Sequence, residues 1–158
     1  MSDSEIIKKY DYWRGLFGIT EEEFNSIKKE FIEVKFNTGD QIHNFNETPK
    51  GIILINQGTL RLVGKNSNNE FISIEKYKKH EIANAIILLV DQNNTSLIAS
   101  TYVEGFFLKK ELFIELLKTK NNFINLFKKI TKEEYFYLAS SNKDPRLLEN
   151  NELLDWAE

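Results

Sequence analysis

Between Ile32 and Leu108 the chain is cut into short apolar or alternating runs: Ile32–Phe36, Gln41–Phe45, Gly51–Asn56, Thr59–Val63, Phe71–Tyr77, Ser96–Tyr102 and Gly105–Leu108. Residues that favour turns separate them, as in Asn37-Thr38-Gly39-Asp40, Gln57-Gly58 and Lys65-Asn66-Ser67-Asn68-Asn69. Runs this short are strand-sized, and turns at such close spacing leave no room for crossover helices between them. The pattern predicts a sandwich or barrel rather than alternating β/α units. One stretch breaks it. Ile82–Val90 (IANAIILLV) is almost wholly apolar and is followed by the polar loop Asp91–Thr95. A buried strand and a short buried helix both fit, and periodicity does not choose between them.

Helical patterning flanks this region on both sides. In Ser4–Phe17, Ile6, Ile7, Tyr10, Trp13 and Phe17 recur at spacings of three and four, the period of an amphipathic helix. Thr20 followed by Glu21, Glu22 and Glu23 reads as an N-cap with acids in the first turn, where the helix dipole favours them. That helix is expected to run to about Phe31, with Phe24, Ile27 and Phe31 on one face. After Leu108 the period returns with Phe113, Leu116 and Leu117, then with Phe123, Ile124, Phe127 and Ile130. The expected organisation is one domain: N-terminal helices over 1–31, strands over 32–108, C-terminal helices over 109–140, and a tail or linker over 141–158.

Composition narrows the function. A chain of 158 residues is long enough for one domain with a genuine core, burying roughly 70% of its unfolded surface. With 24 acidic against 21 basic side chains, nothing suggests a nucleic-acid partner. The absence of cysteine excludes disulfides, thiolate chemistry and cysteine-based zinc sites. No apolar run reaches the roughly 18–20 residues of a membrane span, so direct membrane insertion is not expected. The start, MSDSEIIKKY, lacks the basic and apolar regions of a secretory signal, and a cytoplasmic setting is expected.

The order of these pieces resembles the cyclic-nucleotide-binding domain, whose members include bacterial cyclic-AMP receptor proteins and the sensor domains of channels and kinases. The resemblance runs from about Tyr12 to Tyr137 and is carried by LFGITEEEFNSI, FNTGDQI, GIILINQGTLRLV and GFFLKKELFIELLK, in that order. It implies an α+β, mainly β fold: a β-roll or jelly roll of about seven to eight short strands flanked by N-terminal and C-terminal helices. Gly39 and Gly58 fall between apolar strands, where tight turns need a positive φ.

The resemblance also implies where a ligand would sit. Family members carry a phosphate-binding cassette: a Gly-Glu pair opening a short helix, apolar residues, a loop, then Arg followed by Ser or Thr. Helix N–H groups and the guanidinium meet the cyclic phosphate, and the carboxylate accepts from the ribose hydroxyl. On this chain the cassette falls at 79–99, with Leu88 and Leu89 matching the apolar pair. Asn84 then stands where the family has Gly, Ala85 where it has Glu, and Asn94 where it has Arg, while Thr95 matches the Ser/Thr. His80 takes the place of a Gly that opens the preceding turn. The two side chains most needed for a cyclic nucleotide are absent, and the arginines of the chain are Arg14, Arg61 and Arg146.

Asn84, Ala85, Leu88, Leu89, Asn94, Thr95 and Ser96 are therefore the candidate ligand-binding residues. They suit a neutral polar ligand, or they satisfy the loop's own backbone as Asx and Ser/Thr turns. Arg61 is the candidate anion contact if it points into the roll; on an alternating strand the outward direction is the ordinary one. Lys78 and Lys79 read as a solvated pair. The run Ala85–Val90 is apolar enough to fill part of the space a nucleotide would occupy.

Other chemistry finds no foothold. His43 and His80 have no His/Glu cluster of metal-ligand spacing around them, and His43 reads as a surface or rim side chain on a strand. No glycine-rich phosphate loop or nucleophile elbow appears, so no enzyme is expected, and no catalytic residue, metal or resident cofactor. Cyclic AMP or cyclic GMP is implied by the resemblance and disfavoured by the cassette. The expected function is that of a regulatory or sensor module acting on a protein partner or an attached effector domain. The alternatives are a sensor with altered ligand specificity and a ligand-free dimerisation module resting on the C-terminal helices. The tail, with Leu147, Leu148, Leu153, Leu154 and Trp156, suits a partner, a dimer contact or a fold-back on the domain. Starting at Met1 and ending at Glu158, the chain is expected to be a stand-alone module or the N-terminal piece of a longer protein, a transporter among the possibilities.

Overall fold

The computed structural model describes residues 3–45, 47–85 and 95–120. The expectations for Leu88, Leu89, Asn94, the filling role of 86–90, the helix after 121 and the tail all lie outside those residues.

Two helices open the chain, α1 (Asp3–Phe17) and α2 (Glu21–Ile27). Thr20 caps α2: its Oγ1 accepts from the Glu23 N–H while the Glu23 carboxylate accepts from the Thr20 N–H, both at 3.1 Å. Glu23 also pairs with Lys120, just past the last described helix, and these contacts lower its pKa from 4.5 to about 2. The helix expected to reach Phe31 ends earlier, and Lys28–Glu30 continues as a tighter 3-10 turn. That turn sets Phe31 edge-on against both Phe24 and Phe106, with ring centroids 5.3 and 5.9 Å away.

Eight strands follow among the described residues: β1 (Ile32–Phe36), β2 (Gln41–His43), β3 (Gly51–Gln57), β4 (Leu60–Lys65), β5 (Phe71–Tyr77), β6 (Ile82–Ala83), β7 (Ser96–Ala99) and β8 (Val103–Lys109). They form two four-stranded antiparallel sheets, ordered β1-β8-β3-β6 and β2-β7-β4-β5. This is the mainly β roll with flanking helices that the sequence predicts. Helix α3 (Lys110–Thr119) leaves β8 directly and buries Leu112, Phe113, Leu116 and Leu117. The ambiguous stretch at 82 resolves at its start: Ile82–Ala83 is a short strand.

The first sheet has two very different faces. On one, Phe106 receives the Tyr10 ring in a stack at 4.8 Å, and the indole N–H of Trp13 donates to Asn56 Oδ1 at 2.7 Å. Trp13, Phe17 and Phe106 are fully buried, so α1 and α2 close this face with aromatic packing. The second sheet curls until Phe45, just past one edge strand, meets Phe71 on the other edge strand at 5.6 Å. Gly58 makes the β3–β4 turn at φ 91°. A Cβ there would sit 2.1 Å from the Tyr102 carbonyl oxygen, so no other residue fits without moving backbone.

Candidate ligand-binding site

The other face of the first sheet looks into the roll. Alternation along β3 and β8 turns Ile53 and Phe107 away from the helices, and Val34 and Phe36 of β1 join them. With Ile42 of β2 these side chains bound a cavity of about 360 Å³. That is the small end of the range for ligand pockets, about 300–1,000 Å³. Its polar wall is His43 and Asn84; Glu47 and Lys50, one charge of each sign, line it as well.

His43 corrects the sequence reading. It is buried, with 4% exposure, and not a rim side chain. The cause is a register shift in the β2–β7 ladder, where Gln41 pairs with Ile98 but His43 pairs with Leu97. An extra residue in one strand reverses the side-chain alternation, and here it turns the imidazole into the roll. Its Nε2 lies 3.1 Å from Asn84 Oδ1, and its carbonyl accepts from the Ser96 hydroxyl at 2.9 Å. Burial pushes its pKa below 6.5, opposed by the Asn84 amide and the Asn44 and Thr95 backbone. Nε2 faces the Asn84 amide oxygen, an acceptor, and so donates to it, while Nδ1 lies 3.5 Å from the Asn44 carbonyl oxygen.

Three of the candidate residues thus gather at one point. Asn84, Thr95 and Ser96 are all buried, and Asn84 and Ser96 both bond to His43, the residue that sequence reasoning missed. Only the bulge could have revealed it, and the bulge depends on pairing with a strand more than fifty residues away. Ala85 is buried beside Asn84. Arg61 stands between the buried Leu60 and Leu62, so alternation places it on the face opposite theirs; its Nε is buried with no hydrogen-bond partner among the described residues. Lys78 and Lys79 are exposed, as expected of a solvated pair.

The backbone fixes the register of this region. His80 has φ 70° and Asn84 φ 74°, two of the three non-glycine residues in the left-handed region among those described. Glycine takes that conformation without strain, whereas a side chain costs about 1–2 kcal/mol there, least for Asn. The turn at His80 is held in several ways. Its N–H donates to the Ile55 carbonyl at 2.7 Å, and its ring stacks on Tyr12 of α1 at 3.6 Å. The turn preceding Asn84 is therefore joined to the N-terminal helix.

A family model described as the cyclic nucleotide-binding domain matches residues 33–120, and the chain belongs to that family. No curated protein matches it. Among solved structures, the chain is similar to the regulatory subunit of a cAMP-independent protein kinase A from Trypanosoma brucei, at 19% identity and a TM-score of 0.68, covering 87% of this chain and 53% of that one. The same subunit as a triple mutant bound to cAMP in its A site, with threonine-to-arginine among the substitutions, gives the same values: 19% identity, TM-score 0.68, 87% and 53% coverage. The corresponding Trypanosoma cruzi subunit, bound to guanosine, is 15% identical with a TM-score of 0.70, covering 86% of this chain and 49% of that one. At these identities the likeness is one of fold. The chain spans about half the length of these subunits. No described helix is long and apolar enough to cross a membrane.

Proposed function

We propose that this chain is a non-catalytic regulatory module whose cassette does not bind cyclic AMP or cyclic GMP tightly, and which acts through a protein partner or an attached effector domain. The observation that carries the reading is the left-handed backbone at His80 and Asn84. These are the two positions where the resemblance places glycine, and their conformation supports the cassette register. In that register Ala85, a buried methyl with 2% exposure, occupies the place of the ribose-binding carboxylate. The phosphate would also lack its guanidinium, since Asn94 takes that place and no arginine lies between Arg61 and Arg146. An unpaired buried phosphate charge costs several kcal/mol. The kinase relatives lend support: one is described as cAMP-independent, and its mutant solved with cAMP has gained an arginine. A place at the start of a larger protein, a transporter for example, and a cytoplasmic setting belong to the same proposal.

Calorimetric titration with cyclic AMP and cyclic GMP tests it. The expected result is no heat, or a Kd near 1 mM, about −4 kcal/mol. The double variant Ala85→Glu, Asn94→Arg is expected to bind cyclic AMP measurably more tightly than the parent. Micromolar binding by the unaltered chain overturns the proposal and makes Arg61 the first suspect for the anion contact.

A second reading, a sensor for a different and uncharged ligand, is favoured by the cavity with its neutral His43–Asn84 pair. The guanosine-bound T. cruzi relative is consistent with it. Binding of guanosine by this chain in the same calorimeter would move the weight to this reading.

A further inference from the structure

The cavity on the inner face of the first sheet is specific about what it will accept. Its walls are Val34, Phe36, Ile42, Ile53 and Phe107, two of them aromatic, so the body of an occupant must be apolar and is best flat. Formal charge is nearly cancelled: Glu47 and Lys50 line it with opposite signs, and burial keeps His43 neutral. A charged occupant could pair only by drawing Lys50 or Glu47, both exposed, away from water, at a cost an uncharged molecule avoids.

The polar wall narrows the class further. His43 Nε2–H already donates to Asn84 Oδ1. The carboxamide therefore keeps its Nδ2 protons as donors and a second lone pair on Oδ1 as an acceptor. A carboxamide or lactam edge, with a carbonyl and an N–H side by side, matches that pair of functions in two hydrogen bonds. We infer that this cavity binds an uncharged, flat, mainly apolar molecule that presents an amide edge to Asn84, with His43 as the residue that orients the Asn84 carboxamide. The inference rests on the reading of the module as a sensor with altered ligand specificity. It adds the place and chemical class of the ligand. It also gives a route for the signal, because Asn84 belongs to the left-handed turn that follows His80, whose ring stacks on Tyr12 of α1.

The test uses an isosteric pair, indole-3-carboxamide and indole-3-carboxylate, titrated into the full chain labelled at its Ile, Leu and Val methyls and followed by NMR. The carboxamide is expected to shift Val34, Ile42 and Ile53 saturably, and the carboxylate to bind at least tenfold more weakly. Asn84→Gly keeps the backbone, because glycine adopts φ 74° freely, and is expected to weaken the carboxamide roughly fivefold through the lost hydrogen bonds. Val34→Trp, which puts a large ring into the cavity, is expected to abolish the shifts at Ile42 and Ile53. Equal or tighter binding of the carboxylate overturns the uncharged class, and an Asn84→Gly variant that binds as the parent does overturns the amide anchor. Saturable shifts at Leu62 and Leu97 with none at Val34, Ile42 and Ile53 overturn the placement and leave the sensor reading standing. No saturable shift with either probe, together with no calorimetric response to guanosine, overturns both.

Discussion

The two faces of the first sheet are built from alternate residues of the same strands, yet they serve different ends. Phe106 and Phe107 are neighbours on β8. Phe106 is sealed between Tyr10 and Phe31 with no exposed surface, whereas Phe107 is half-buried and borders open volume. Close packing of aromatic rings is what stabilises a domain of this size, and a 360 Å³ cavity forgoes it. The helix-covered face holds the fold together, and the inner face holds space. A β-roll can do both because side chains alternate along each strand.

The largest effect should come from breaking that division at its packed side. Phe106→Ala is expected to cost about 3–5 kcal/mol in a denaturant melt, the usual range for a buried aromatic. Phe107→Ala should cost less than half as much, since the ring borders a cavity that already exists. Equal losses at the two positions would show that the inner face carries as much stability as the outer one.

Asn84 gives a smaller and more pointed contrast. Asn84→Ala loses the bond to His43 and puts a Cβ that glycine lacks at φ 74° with no polar compensation, and should cost about 2–3 kcal/mol. Asn84→Gly loses the same bond but gains an unstrained backbone, and should lie within about 1 kcal/mol of the parent. If glycine proved as damaging as alanine, the His43 bond and not the backbone would dominate that turn.

The smallest effect is a pH dependence. Burial lowers the His43 pKa below 6.5, so the unfolded chain takes up a proton there more readily than the folded one. Stability should therefore be full above about pH 6.5 and decline as the pH falls below it. His80 is shifted in the same direction, by burial and by Lys79, and contributes with the same sign. Chemical denaturation between about pH 7.5 and pH 5 should show a shallower decline for His43→Gln, with the residual slope due to His80. An unchanged slope would mean that His43 is not held neutral by its burial.

Much of the fold was legible because its signals are local. The Thr20 capping box, the turn glycines at 39 and 58, and the strands at 32–36 and 71–77 follow from a few adjacent residues, and all appear where expected. Element ends were less legible. The strand expected over Gln41–Phe45 stops at His43, and the one expected from Gly105 begins at Val103, because strand limits are set by partners rather than by the strand's own residues. Asn84, Thr95 and Ser96 were placed by the cassette that the resemblance implies, and the structure buries all three; the residue that two of them bond to was not foreseen.

What the sequence by itself determined is the order of elements, the turns, and which residues stand in the cassette register that the resemblance implies, Asn84, Ala85 and Asn94 among them. These are questions of residue type and local spacing. The tertiary structure alone decided that His43 faces inward, that Trp13 finds Asn56, and that Phe107 borders a cavity while Phe106 does not. Each depends on pairing between segments more than forty residues apart in the chain, and in such pairing a single extra residue in a strand is enough to turn a side chain from solvent to core.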